Sequence, residues 1–200
     1  MNRYMRLFTI VLFFLLSVGS SAQSPFVGMA SYSITDEQGK SAGTLIYYSD
    51  GTNHRTEEIV GDFTRTNIEL TEQRASYLLI TLLGHKLAIL NAKPTIQLQN
   101  SSPSASSPVD ERLGLQCLLT TTNDLPVVFT PQYVTTCANL PQAPGLPVEF
   151  QRKGENGTFT YRLQAVNLNV PADIQFVIPE DYLLITADEL VNVFNGISAE

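Results

Sequence analysis

"TFTYRLQAVNLNV", residues 158 to 170, is a strand whose apolar face changes partway along. Phe159, Tyr161, Leu163 and Ala165 alternate onto one side, whereas Val166, Leu168 and Val170 fall on the other. In an extended chain successive side chains point to opposite faces, so a run with one buried face keeps one parity throughout. The switch near residue 165 predicts a bulge, or a strongly coiled strand that turns a barrel corner. A flat sheet with one covered face has no use for it.

Strand signals surround this run. "FVGMASYSI" (26 to 34) alternates, with Phe26, Ala30, Tyr32 and Ile34 on one face. "GTLIYYS" (43 to 49) is rich in β-branched and aromatic residues, and the hairpin signal Asp50-Gly51 follows it. "HRTEEIV" and "DFTRTNIEL" continue the meander around Gly61-Asp62, and "SYLLITL" pairs with "HKLAIL" around Gly84. Further on, "RLGLQCLLTTT", "PVVFTPQYV" and "LPVEFQRK" read as strands, and Glu155-Asn156-Gly157 turns the chain into the opening run. Such close spacing predicts a mainly β domain built on a single strongly bent antiparallel sheet, a half-barrel. One helix is expected, at the C-terminus: Thr186 and Glu189 form a capping box, Leu190, Val193 and Phe194 follow at helical spacing, and Gly196 closes the end. Between the two sets of strands, residues 93 to 110 hold three prolines and five serines and read as a flexible loop inside one domain.

The start of the chain sets the expected compartment. Arg3 and Arg6 precede an apolar run from Leu7 to Leu16, and Ser20-Ser21-Ala22 supplies small residues for a signal peptidase, so residues 1 to 22 read as a secretory signal cleaved after Ala22. The apolar run is shorter than the roughly 20 residues that span a bilayer. Cleavage leaves 178 of the 200 residues as one domain, 23 to 200, with 10 of the 12 basic residues against all 19 acidic ones, a formal charge of −9. That balance excludes the clustered cations that nucleic acid demands and disfavours an anionic membrane surface. The expected product is periplasmic or secreted, with no transmembrane segment after cleavage. Cys117 and Cys137, in an oxidising compartment, are expected to form a disulfide, and a cysteine nucleophile or zinc site is the alternative.

Candidate chemistry is sparse. "YYSDGTNHRTEEIV" (47 to 60) places His54 beside Arg55, Glu57 and Glu58. On a strand His54, Thr56 and Glu58 share one face, and Arg55 and Glu57 the other. Two ligands from one strand are too few for a metal unless His85 or Asp62 joins them. The reading adopted is a hairpin with a solvated polar face and Arg55 and Glu57 as partners, needing no metal. No nucleophile elbow, Ser-x-x-Lys pattern or phosphate loop is present, and no catalytic residue or cofactor is expected. A hydrolase or metal enzyme using His54 or His85 is the minority reading. Aromatic residues accumulate in the strands instead. Tyr48, Tyr77, Phe129, Phe159 and Tyr161 are the candidate lining of an apolar ligand site, with packed core as the other use of the same side chains.

Several landmarks resemble one set of exported bacterial proteins: the signal ending in Ala22-Gln23, "YYSDGTNHRTE", "LGLQCLL", "APGLPVEF" and the closing "FVIPEDYLLIT". The pattern is similar to the GLPGLI-type and related outer-membrane-associated families. Their architecture is in turn similar to the LolA/LolB-like lipoprotein-carrier superfamily. By this match Gly114 and Cys117 fall on a Gly-x-x-Cys strand, Gly145 and Leu146 on a Pro-Gly-Leu element, and Phe176, Pro179 and Tyr182 on the closing segment. The resemblance implies a bent sheet with a hydrophobic concavity and supplies no catalytic residue. The leading expectation is an exported envelope protein that binds a lipid, acyl chain or other hydrophobic ligand. The second is a protein–protein interaction or structural module of the envelope.

Overall fold

The computed structural model describes residues 23–61, 63–82, 85–90, 106–154, 157–169, 176–186 and 189–190. The expected signal segment, residues 93–105 of the Ser/Pro-rich loop, and the body of the expected helix lie outside these residues. In chain order the strands are β1 (Ser24–Pro25), β2 (Val27–Thr35), β3 (Ser41–Asp50), β4 (His54–Val60), β5 (Phe63–Leu70), β6 (Ala75–Leu82) and β7 (His85–Leu90). They continue with β8 (Ser107–Arg112), β9 (Leu115–Thr122), β10 (Leu125–Thr130), β11 (Tyr133–Val134), β12 (Leu146–Gly154), β13 (Gly157–Asn167) and β14 (Leu183–Ile185).

Twelve of them form one sheet in the order β14-β7-β6-β5-β4-β3-β2-β13-β12-β10-β9-β8, and β1 pairs with β11 in a second, two-stranded sheet. Two meanders of consecutive strands meet at the β2–β13 seam. The expected single antiparallel sheet is corrected to a mixed one, because β14 runs parallel to β7 and β1 parallel to β11. The order is open, with β14 and β8 at the edges. Residues 107–110, expected as loop, open the edge strand β8 through pairing with β9. The two-residue turn between them, Leu113-Gly114, has positive φ at both positions (54° and 72°), the requirement of a type I′ hairpin.

The face switch of the opening run is present. The register of β13 against β2 shifts between Leu163 and Ala165: Leu163 lies opposite Tyr32, and beyond the bulge Val166 lies opposite Ala30. One extra residue thereby puts Val166 on the same side as Tyr161 and Leu163, where it packs on the main core, and leaves Ala165 opposite Ser31 on the other face. Across the seam, Gly28 is required by close approach, because a Cβ there would stand 2.2 Å from the Asn167 carbonyl oxygen.

The main core occupies one face of the sheet, termed inner here. Tyr32, Ile34, Leu45, Tyr47, Phe150 and Tyr161 contribute to it. Neighbouring strands lie about 4.8 Å apart, so β4 and β12, four positions apart, would stand roughly 19 Å apart on a flat sheet. Yet Arg152 of β12 reaches Glu58 of β4 at 3.4 Å, and Tyr161 of β13 donates to the same carboxylate. The sheet curls toward its inner face. At the β5–β7 end both faces are covered: Ile68, Leu79 and Ala88 pack against Ile178 and Tyr182, and Leu87, Ile89 and Ile185 against Leu190. The capping box is formed, with the Glu189 amide donating to Thr186 Oγ1 at 3.2 Å and Thr186 N to Glu189 Oε2 at 2.6 Å.

Candidate functional site

The Asp50 turn delivers β4 to the sheet. Asp50 Oδ1 accepts the amides of Thr52 (2.8 Å) and Asn53 (2.6 Å), and Asn53 Nδ2 donates to Oδ2 (3.0 Å). Burial raises the Asp50 pKa, but these donors and the nearby His54 outweigh it and leave the group below the ordinary carboxylate value. The strand then divides its faces as its alternation predicts. Arg55 Nε donates to Glu57 Oε1 at 2.8 Å on the outer face. His54, Thr56 and Glu58 point inward, at 4%, 2% and 6% exposure. The expected solvated face is thus corrected for these three: the curl of the sheet encloses them.

Glu58 is the centre of this inner cluster. Arg65 lies directly opposite on β5 and pairs with its Oε2, and on Oε1 it receives Arg152 and the Tyr161 hydroxyl. Burial raises the Glu58 pKa, and Arg152, Arg65 and the Tyr161 hydrogen bond overcome it, so the carboxyl is held below its usual range. Burial first, and then the Glu58 charge, push the Tyr161 phenol up to about 12 against the opposing pull of Arg152. The Arg152 guanidinium stands 4.7 Å from the Tyr161 ring centroid and 5.2 Å from that of Phe150, and those two rings stack at 4.7 Å.

A second set of inner groups fastens residues 135–139, a strap after β11, to the sheet. Glu69 of β5 accepts the Ala138 amide (2.9 Å), Asn139 Nδ2 (2.6 Å) and the Cys137 thiol (3.6 Å). Arg152 donates to the Asn139 carbonyl. The Tyr47 hydroxyl meets both Thr135 Oγ1 (2.8 Å) and His54 Nδ1 (3.0 Å), while His54 Nε2 meets Thr136 Oγ1 at 2.9 Å. A neutral ring protonated on Nε2 satisfies both partners. Burial lowers the His54 pKa, outweighing the opposite influence of Glu69 and Asp50. Both ring nitrogens are engaged by hydroxyls, which makes this histidine a fastening.

The expected disulfide is not formed: Cys117 and Cys137 are both free and buried. Each sulfur has its own acceptor, Leu115 O at 3.3 Å for Cys117 and the Glu69 carboxylate for Cys137. Burial raises both thiol pKa values, and for Cys137 the Glu69 charge adds to it. Neither thiol has the electropositive, open setting of a reactive one.

The other candidate residues are dispersed. Tyr48 is buried on the outer face between Met29 and Arg55. Phe129 is 1% exposed, Tyr161 belongs to the main core and Phe159 packs at its margin. Tyr77 packs beside Ile68 and also borders a cleft of about 230 Å³ at the β5–β6 turn, together with Glu69, Arg74 and Asn139. Among the described residues the five aromatics do not line one cavity. His85 is exposed at the start of β7, three positions from the strand of His54. Asp62 lies outside the described residues, among which no three His, Cys, Asp or Glu side chains are grouped to hold a metal ion. No helix of the described residues is long and apolar enough to cross a membrane.

Sequence reasoning passed over Arg65, Arg152 and Glu69. Arg65 had a signal, since it mirrors Glu58 about the Gly61-Asp62 turn. Arg152 and Glu69 had none, because their partners are 94 and 70 residues distant in the chain.

No family model matches the chain, and no curated protein matches it. Two crystal forms of PNGF-II share its fold. One aligns with a TM-score of 0.52 at 13% identity over 82% of this chain and 32% of that one. The other gives 0.50, also at 13%, over 83% and 32%. The likeness is one of fold, and the chain spans 32% of the PNGF-II chain it matches.

Proposed function

We propose that the chain is an exported module of the cell envelope that docks to another protein through its outer surface and edges. The observation that supports this is the state of the inner face. Tyr32 and Phe150 meet edge to face at 5.7 Å, Phe26 stacks on Tyr47 at 5.4 Å, and Glu58 is tied to Arg152 across the curl. A half-barrel of the lipoprotein-carrier kind needs that space open for an acyl chain. The large apolar side chains left at the surface include Leu183 (64% exposed) and Leu184 (53%) on edge strand β14, and Val177 (54%) just before it. An apolar strand at an open sheet edge suits a protein partner. The opposite edge, β8, carries Pro108, Asp110, Glu111 and Arg112, residues that discourage strand addition. Export rests on the basic, apolar and small-residue pattern of residues 1 to 22.

Native mass spectrometry of the protein exported by its own host, before and after organic extraction, tests this reading. The expected result is a bare polypeptide mass that extraction leaves unchanged. A photo-crosslinking residue at Leu184 is expected to capture one envelope protein, and the same group at Thr44, exposed on β3, to capture none. A lipid-sized adduct lost on extraction would overturn the proposal in favour of a hydrophobic ligand.

A further inference from the structure

Glu69 and Arg74 border the same cleft of about 230 Å³, formed where the β5–β6 turn meets Ala138 and Asn139 of the strap. Their charges are opposite and, among the described residues, neither forms an ion pair with the other or with a third group. The three donors that hold Glu69 are a backbone amide, a side-chain amide and a thiol, all neutral. A carboxylate offers about four lone-pair sites, so these donors fix its orientation and leave one site open. Two of them sit on Oε1 and one on Oε2, so the open site is on Oε2. Arg74, on the same lining, is exposed, at a turn position with φ of 51°, its own amide bonded to Thr71 O at 3.2 Å. Its guanidinium fork suits a carboxylate.

We propose that this cleft binds a small zwitterion of α-amino-acid size, its ammonium on Glu69 and its carboxylate on Arg74. A simple cation would be repelled by Arg74, and a simple anion by Glu69. A zwitterion matches both, and Tyr77 and Leu70 on the wall supply contact for a modest apolar side chain. The site is independent of the docking surface proposed above.

The test is a heteronuclear NMR titration of the exported chain with L-alanine and L-phenylalanine, against N-acetyl-L-alanine, ethylamine and glucose. Saturable shifts are expected at the amides of Arg74 and Ala138 with the two amino acids. The acetylated acid and the amine each lack one charge-assisted contact and are expected to bind about tenfold more weakly or worse, as is glucose. Arg74→Gly accepts the positive φ without strain and keeps the fold, and it is expected to weaken amino-acid binding about tenfold or more. The proposal is overturned by the absence of saturable shifts at tens of millimolar amino acid. Equal binding of a singly charged compound or of glucose, or unchanged affinity in Arg74→Gly, would overturn it as well.

Discussion

Glu58 sits between Arg65 and Arg152 on the inner face, and Glu149 sits between Arg112 and Arg162 on the opposite face. The two clusters use the same three charges and differ in their solvent. The Glu58 side chain is 8% exposed and its arginines 18% and 14%, against 23% for Glu149 and 41% and 58% for its partners. Water screens the outer cluster and can replace any member that is lost. In the inner one each charge depends on the others, since an ion left unpaired in a low-dielectric interior has no substitute for hydration. A buried ion cluster is therefore a weak source of net stability and a strong constraint on geometry. Here the geometry it constrains is the curl that brings β12 over β4.

The largest effect is expected from Glu58→Ala. It strands two enclosed guanidinium groups and is expected to cost about 3 to 5 kcal/mol, measured by urea unfolding. Glu58→Gln, which keeps some of the hydrogen bonds, is expected to lose less. A cost for Glu58→Ala no larger than for an exposed pair would mean that the inner charges do not hold the curl.

Acid should expose the same contrast in two stages. His54 has a folded pKa below its ordinary 6.5, so the unfolded chain binds the proton more readily. Its contribution is complete above that value and fades as pH falls below it toward the folded pKa. Glu58 is likewise depressed below 4.5, and its contribution fades as pH drops below that value. The unfolding midpoint is expected to fall in both windows, and His54→Gln to flatten the upper one. A midpoint that does not change between pH 7 and 5 would remove His54 from the account.

A smaller effect is expected from Tyr47→Phe, which removes the hydroxyl shared by His54 and Thr135. Leaving these partners unsatisfied costs about 1 to 3 kcal/mol. Hydrogen exchange at Ala138 and Asn139 should accelerate with it, and unchanged protection there would show that the strap is held without this contact. Smallest of all is Glu149→Ala, expected to cost about 0 to 1 kcal/mol and less in high salt. A larger cost would erase the distinction between the clusters.

Much of the fold is legible in the residues because it is local. Alternation in β2 and β4, the Asp50-Gly51 turn and the parity change at residue 165 each involve neighbours in the chain, and each has its counterpart in the structure. The site was less legible. Both faces of β4 are polar, so alternation separates His54 and Glu58 from Arg55 and Glu57 without telling which pair is inside. That depends on Arg152, which arrives only through the curl. The cysteines illustrate the same limit. Compartment and count argued for a bond, whereas the orientation of each sulfur toward its own acceptor depends on the tertiary path of the strap.

The β2–β13 seam has a consequence for the order of events when the chain folds. Apart from the β10–β12 pair, which residues 131–145 connect, each meander consists of hairpins between consecutive strands, contacts that form early because the loops they close are short. The seam pairs residues as far apart as Met29 and Asn167, and Gln164 Nε2 donates to Ser33 Oγ across 131 positions of chain. Until β13 has been synthesised, the first meander must wait with the edge of β2 unpaired and Tyr32 without its ring partner Phe150 of β12. That interval is when such a chain is most open to edge-to-edge association. Ser31 and Ser33, polar residues spaced along that waiting strand, lower the apolar content of one of its faces during the delay.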